Sequence, residues 1–123
     1  MKVNSFVLNV TSGDPARLCD FYRNVLGLPP KPEIGEDFAF DIGAGSAFVI
    51  DGHSETKGAT KEPQRMLVNF FVDDLQAEQS RLEQQGVRFI RTAGREEWGG
   101  VISTFLDPDG NYCQLIEFRP EGA

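Results

Sequence analysis

The sequence predicts an α+β domain assembled from two βαβββ modules, and three observations carry that prediction. Short β-rich runs and two helix-type stretches follow in the order strand, helix, strands, and then the same order again. The second half echoes the first. Val10…Leu26-Gly27-Leu28 matches Val72…Gln85-Gly86-Val87 with three extra residues in the first half, and Phe40…Gly45 matches Phe105…Gly110 at equal spacing. Finally, Asp107-Pro108-Asp109-Gly110 has the chemistry of a tight corner: Pro fixes φ and Gly accepts a positive φ. It joins Ser103 to Leu106 with Tyr112 to Phe118, two runs rich in β-branched and aromatic residues that read as a hairpin.

Taken in order, Val3 to Val10 is an extended run with Phe6, Leu8 and Val10 on one face and Ser5, Val7 and Asn9 on the other. Thr11-Ser12-Gly13 breaks it. Asp14 is a good N-cap, and Pro15 suits the first helical position. Leu18, Phe21, Tyr22, Val25 and Leu26 then form one apolar helix stripe that Gly27 ends. Pro29, Pro30 and Pro32 forbid any continuation. Phe38 to Ile42 and Ala47 to Asp51 read as strands joined by Gly43-Ala44-Gly45-Ser46.

Residues 52–65 are polar and aperiodic, so they separate module one (1–51) from module two (66–120) as a connector expected to be mobile. Met66 to Val72 is the next strand, with Leu67, Asn69 and Phe71 sharing a face. Asp73 and Gln76 suggest a capping-box start for a helix anchored by Leu75 and Leu82 and ended by Gly86. Val87 to Thr92 is a short strand. Ala93 to Gly100 is a loop carrying the single Trp, before the closing hairpin.

Length and charge bound the function. The 123 residues suit one domain, and 40% hydrophobic content with ten Phe supplies ample core material. A net charge of −7 excludes phosphate-backbone recognition and anionic membrane surfaces, and it favours a cationic ligand. No apolar run approaches the roughly 20 residues of a membrane span. Cys19 and Cys113 sit in apolar patterns and read as buried thiols. With no leader-like segment after Met1, the expected location is the cytoplasm.

Four segments carry a family resemblance: Asp20-Phe21-Tyr22-Arg23-Asn24-Val25-Leu26-Gly27-Leu28, Val72-Asp73-Asp74-Leu75, Gly86-Val87, and Phe105-Leu106-Asp107-Pro108-Asp109-Gly110-Asn111. On these, the chain from Val3 to Phe118 resembles the vicinal oxygen chelate superfamily, which includes glyoxalase I, extradiol dioxygenases, and fosfomycin and bleomycin resistance proteins. The resemblance implies paired modules forming a curved mixed sheet around a cavity, usually in a homodimer. It implies a fold more than a reaction, because the family hosts many unrelated activities.

Metal enzymes of this family draw ligands, mostly His and Glu, from four strand positions. The resemblance puts these at Ser5, Leu67, Gln114, and either Val49 by internal repeat or Asp51 if the hairpin register shifts by one pair. Leu67 and Val49 cannot donate, while Ser5 and Gln114 are weak neutral donors. The only histidine, His53, falls in the connector. No cofactor is therefore expected. A divalent metal on an oxygen-only site of Asp51 and Gln114 is the alternative.

By strand alternation, the wall of the implied cavity includes Ser5, Val7, Asn9, Val49, Leu67, Asn69, Phe71, Tyr112, Gln114 and Ile116, with Trp98 closing one side. Phe71 and Ile116 also suit the core. Asn69 and Gln114, if buried, each need a partner, which is the other amide, water or a ligand. Arg95-Glu96-Glu97 reads as a solvated loop tip, with Arg95 as a possible gate. Cys113 falls on the helix-facing side of its strand.

Two functional classes follow. One is a metal-independent protein that sequesters a drug or metabolite, in the manner of bleomycin resistance proteins. The other is a metal-dependent lyase, isomerase or oxygenase of glyoxalase or dioxygenase type with an atypical site. A non-metal isomerase or lyase using Asp51 or Tyr112 ranks behind both, since no matched acid–base pair is in view.

Overall fold

The computed structural model describes residues 1–43 and 45–120, and it contains two four-stranded mixed sheets, one in each half of the chain. The chain divides into two units, Met1–Gly58 and a second beginning at Ala59. In the first unit β1 (Phe6–Ser12) leads into helix α1 (Pro15–Asp20), followed by β2 (Pro30–Lys31), β3 (Gly35–Asp41) and β4 (Ser46–Gly52). In the second, β5 (Val68–Phe71) leads into helix α2 (Leu75–Gln84), then β6 (Phe89–Arg95), β7 (Gly100–Leu106) and β8 (Tyr112–Phe118). The sheet orders are β1-β4-β3-β2 and β5-β8-β7-β6, the same topology twice. This is the predicted α+β architecture. Ala44, in the predicted turn between β3 and β4, lies outside the described residues.

The hairpins repeat in register. Ala39 pairs with Val49 and Phe40 with Phe48; Thr104 pairs with Gln114 and Phe105 with Cys113. The corner between β7 and β8 is held by the Asp107 carboxylate. Its Oδ1 accepts from the backbone N–H groups of Asp109 and Asn111 at 2.9 Å each, and its Oδ2 accepts from Asn111 Nδ2 at 2.8 Å. Gly110 adopts the left-handed φ of 83° that the turn requires.

The parallel strand pairs correct the sequence alignment of the two halves. Asn9 pairs with Val49 and Asn69 with Gln114, so Asn9 is the counterpart of Asn69. Two of the three apparent extra residues are thus a shift in strand register, and β1 runs on through Ser12 where a break was expected. The third is real. The first helix region runs from its cap Asp14 to left-handed Gly27, one residue more than from Asp74 to Gly86. The extra residue is absorbed by a wide turn: α1 (Pro15–Asp20) continues as a π-helix over Phe21–Val25, with Leu26 N–H bonded to the Phe21 carbonyl at 2.9 Å.

Caps fix both helices. Asp14 accepts from Arg17 N–H at 3.2 Å and Asp74 from Ala77 N–H at 3.0 Å, so the second cap is Asp74 rather than Asp73. Leu18, Tyr22, Phe40, Phe48 and Ile50 are buried in the first unit, with the Tyr22 and Phe48 rings 4.9 Å apart. In the second unit Leu75, Leu82, Phe105, Cys113 and Leu115 are buried. Both cysteines are buried, as expected.

Two elements differ from expectation. Strand β2 was missed because Pro29, Pro30 and Pro32 in and around it argue against a strand, yet Pro30 is tolerated at a sheet edge. Strand β6 extends to Arg95, through residues read as loop. Its register against β7 slips twice, and Ala93 takes a left-handed φ of 47°, so alternation is lost although pairing continues.

The connector is tied down within each unit. Thr56 and Thr11 hydroxyls lie 2.6 Å apart, and Thr60 N–H donates to the Asp109 carbonyl at 2.9 Å. A 3₁₀ turn at Pro63–Arg65 is closed by an Arg65–Glu62 ion pair.

Candidate functional site

Helix α2 packs against β6, β7 and β8 of its own sheet. By alternation, Thr104, Gln114 and Asn69 point to the other face, from three neighbouring strands. The Thr104 hydroxyl donates to Gln114 Oε1 at 2.9 Å, and Gln114 Nε2 donates to Asn69 Oδ1 at 2.9 Å. The expected need of Gln114 and Asn69 for partners is therefore met first by each other. Thr104 was not anticipated. Its signal was available, since the hairpin register sets it opposite Gln114.

Around this row the sheet presents apolar groups. Phe71, which also suited the core, is 68% exposed, whereas Ile116 is 2% exposed and belongs to the core. Leu67, just before β5, is exposed, and Tyr112 at the start of β8 is half-buried. Trp98 sits in the turn between β6 and β7, 52% exposed, with its ring nearly parallel to Phe118 at 6.4 Å. Phe118 is a second residue that sequence reasoning passed over. Arg95 donates to the Arg119 carbonyl at 2.9 Å, beside the Trp98 turn. Glu117 Oε1 accepts from Leu75 N–H at 2.8 Å at the start of α2. The hydrogen bond from Arg119, and then that from Leu75, hold the Glu117 carboxyl below its ordinary range.

In the first unit, Ala39, Ala47 and Val49 form a cluster of small buried side chains. Val7 and Asn9 are exposed and alternate with the half-buried Leu8 and Val10, and Ser5 precedes the strand. The strand register makes Val7 rather than Ser5 the counterpart of Leu67, and the hairpin register makes Val49 rather than Asp51 the counterpart of Gln114.

The donor set at the four positions where the family resemblance implies metal ligands does not fit a divalent ion. Val7 or Ser5, Leu67 and Val49 offer at most one hydroxyl, and the Gln114 carbonyl is already an acceptor for Thr104. His53 Nδ1 accepts from Glu55 N–H at 3.0 Å in the exposed connector. Among the described residues, no group of three or more His, Cys, Asp or Glu converges. No described helix is long and apolar enough to cross a membrane.

The family description Glyoxalase/Bleomycin resistance protein/Dioxygenase superfamily matches residues 2–115. No curated protein matches the chain. Among solved structures, an antibiotic binding protein from Streptomyces is 23% identical with a TM-score of 0.68, covering 94% of this chain and 96% of that one. A lactoylglutathione lyase from Agrobacterium tumefaciens is 18% identical with a TM-score of 0.69, covering 96% of each chain. A glyoxalase/bleomycin resistance protein/dioxygenase family enzyme from Burkholderia phytofirmans is 20% identical with a TM-score of 0.70, covering 91% of this chain and 96% of that one. At these identities the likeness is one of fold.

Proposed function

Because the chain belongs to the Glyoxalase/Bleomycin resistance protein/Dioxygenase superfamily, we propose that it is a small-molecule-binding protein that sequesters a drug or metabolite without a divalent metal. The observation that carries this reading is the neutral row Thr104–Gln114–Asn69. At the position where the family's metal enzymes place a carboxylate, this chain has an amide whose two ends are hydrogen-bonded to its own sheet. Such a row orients a ligand; it does not supply anionic oxygens to an ion.

The ligand contacts proposed on the second sheet are Leu67, Asn69, Phe71, Tyr112 and Gln114, with Trp98 as an aromatic platform; on the first they are Ser5, Val7, Asn9 and Val49. Exposed aromatic rings beside a few amides suit a planar apolar ligand. The chain's charge of −7 favours one that also carries a positive charge. The Streptomyces antibiotic binding protein has the same fold, which lends support to sequestration. The protein is proposed to act in the cytoplasm as a homodimer, the assembly its family resemblance implies.

The single Trp makes the test direct. Titration with a panel of planar aromatic cations should quench Trp98 fluorescence saturably, with the same Kd in the presence and absence of EDTA. The alternative is a metal-dependent lyase, isomerase or oxygenase. Turnover or binding that EDTA abolishes and an added divalent ion restores would establish that alternative and end the sequestration reading.

A further inference from the structure

Edge strand β6 brings a cation to the face that carries the neutral row. Arg91 is the register partner of Thr104, so both side chains leave the same face of the sheet, away from α2. Across that face the order is Asn69 on β5, Gln114 on β8, Thr104 on β7 and Arg91 on β6.

Two contacts hold the guanidinium down on the sheet. Its Nη1 donates to Glu96 Oε1 at 2.9 Å, an ion pair near the end of β6. Its Nε and Nη2 lie over Gly94, where a Cβ would stand 2.1 Å and 2.4 Å from them. Gly94 is the register partner of Ile102, which places this spot on the same face as Thr104. A larger residue there would push the head group off the sheet. Glu96 is the one hydrogen-bond partner of the Arg91 side chain among the described residues, so the Nε–Nη2 edge keeps its donors. The side chain stays 41% exposed.

The direction of the neutral row sets what a ligand meets beside it. Thr104 donates to Gln114 and Gln114 donates to Asn69, so both side-chain carbonyls already accept. The capacity left over is donor capacity. Asn69 Nδ2 has no acceptor among the described residues, and Arg91 offers its Nε–Nη2 edge at the other end. Donors at both ends call for an acceptor, and a guanidinium edge matches the two oxygens of a carboxylate. The net charge of −7 acts weakly here, because physiological salt screens exposed charges beyond about 8 Å, whereas the pose is set at hydrogen-bond distance.

We propose that Arg91 is a specificity-determining residue, and that the ligand of this face is a planar aromatic compound carrying a carboxylate. The carboxylate oxygens accept from Arg91 Nε and Nη2, and the ring lies over the row of Thr104 and Gln114. This inference rests on the sheet-face reading and adds an acidic group to the ligand, with or without a positive charge elsewhere on it.

The test is a two-dimensional ¹H–¹⁵N NMR titration of the full chain with β-naphthoate, using β-naphthylmethanol and β-naphthylmethylamine as neutral and cationic controls. Naphthoate should shift Asn69, Gly94, Thr104 and Gln114 saturably and bind about tenfold more tightly than either control. Arg91→Gln should abolish that preference and leave the neutral control unchanged. The variant loses only an exposed ion pair, so it should fold, as overlay of its remaining peaks would verify. Gly94→Ala, which displaces the head group and keeps the charge, should weaken naphthoate alone. Equal affinity for the three probes on this face, or an intact preference in Arg91→Gln, would overturn the proposal and leave the sheet-face reading standing. No saturable shift on this face with any probe by about 10 mM would end both.

Discussion

Gln114 and Asn69 are register partners on the parallel strands β8 and β5, and the Gln114 amide donates to Asn69 Oδ1 at 2.9 Å. Thr104 holds the other end of the same amide from β7. The row crosses three strands on the face away from α2 and contains no ionisable group. Everything proposed about a metal-free site depends on this arrangement.

Truncating the middle of the row should be felt through Thr104, whose buried hydroxyl would lose its acceptor. Gln114→Ala is expected to destabilise the protein by about 1–2 kcal/mol, and Asn69→Ala, at the exposed end, by about 0.5 kcal/mol. Urea denaturation of both single variants and the double variant should show coupling of about 0.5 kcal/mol. Strict additivity would mean that the two amides do not interact in solution.

Asp107 is buried and accepts three hydrogen bonds within its own turn. Asp107→Ala should cost about 2–3 kcal/mol, because the amides it serves lose a charged acceptor. A midpoint in urea close to that of the parent protein would contradict the role given to this turn.

Ala93 holds a left-handed φ of 47° in the irregular part of β6. Relief of that strain by Ala93→Gly is expected to raise stability by about 0.5 kcal/mol, whereas Ala93→Val should lower it by about 1 kcal/mol or more. Thermal melts of the two variants moving in the same direction would argue against a strained bulge.

Glu117 links pH to the start of α2. Its carboxyl is held below the ordinary glutamate value of 4.5, by Arg119 first and by the Leu75 N–H second. A lowered folded-state value means that the charged form contributes stability above pH 4.5, and that this contribution is lost as pH falls through the folded value. The stability gap between the parent protein and Glu117→Gln should therefore be constant near neutrality and narrow below pH 4.5. A gap that widened on acidification would reverse the assignment.

What the sequence revealed about the fold was local. The β7–β8 corner follows from Asp107 and Gly110 at fixed offsets, and the helix ends follow from Asp14, Gly27 and Gly86, because caps and turns act within a few residues. Long-range register was not legible. No turn joins β1 to β4 or β5 to β8, so nothing nearby announces that Asn69 meets Gln114, or that Val7 rather than Ser5 corresponds to Leu67. The π turn was hidden for the same reason, since a single inserted residue is visible only once the strands are aligned. Gln79 was missed because it lies on a helix rich in Gln and Glu, where one buried amide looks like its solvated neighbours.

The central claim is that this member of the family works without a metal. The most direct measurement is the transition-metal content of the purified protein, taken together with thermal melts over a series of divalent ions. The account predicts less than about one-tenth of an equivalent of metal and no ion-dependent rise in Tm. Near-stoichiometric zinc, nickel, iron or manganese, or a clear stabilisation by any of these ions, would contradict it.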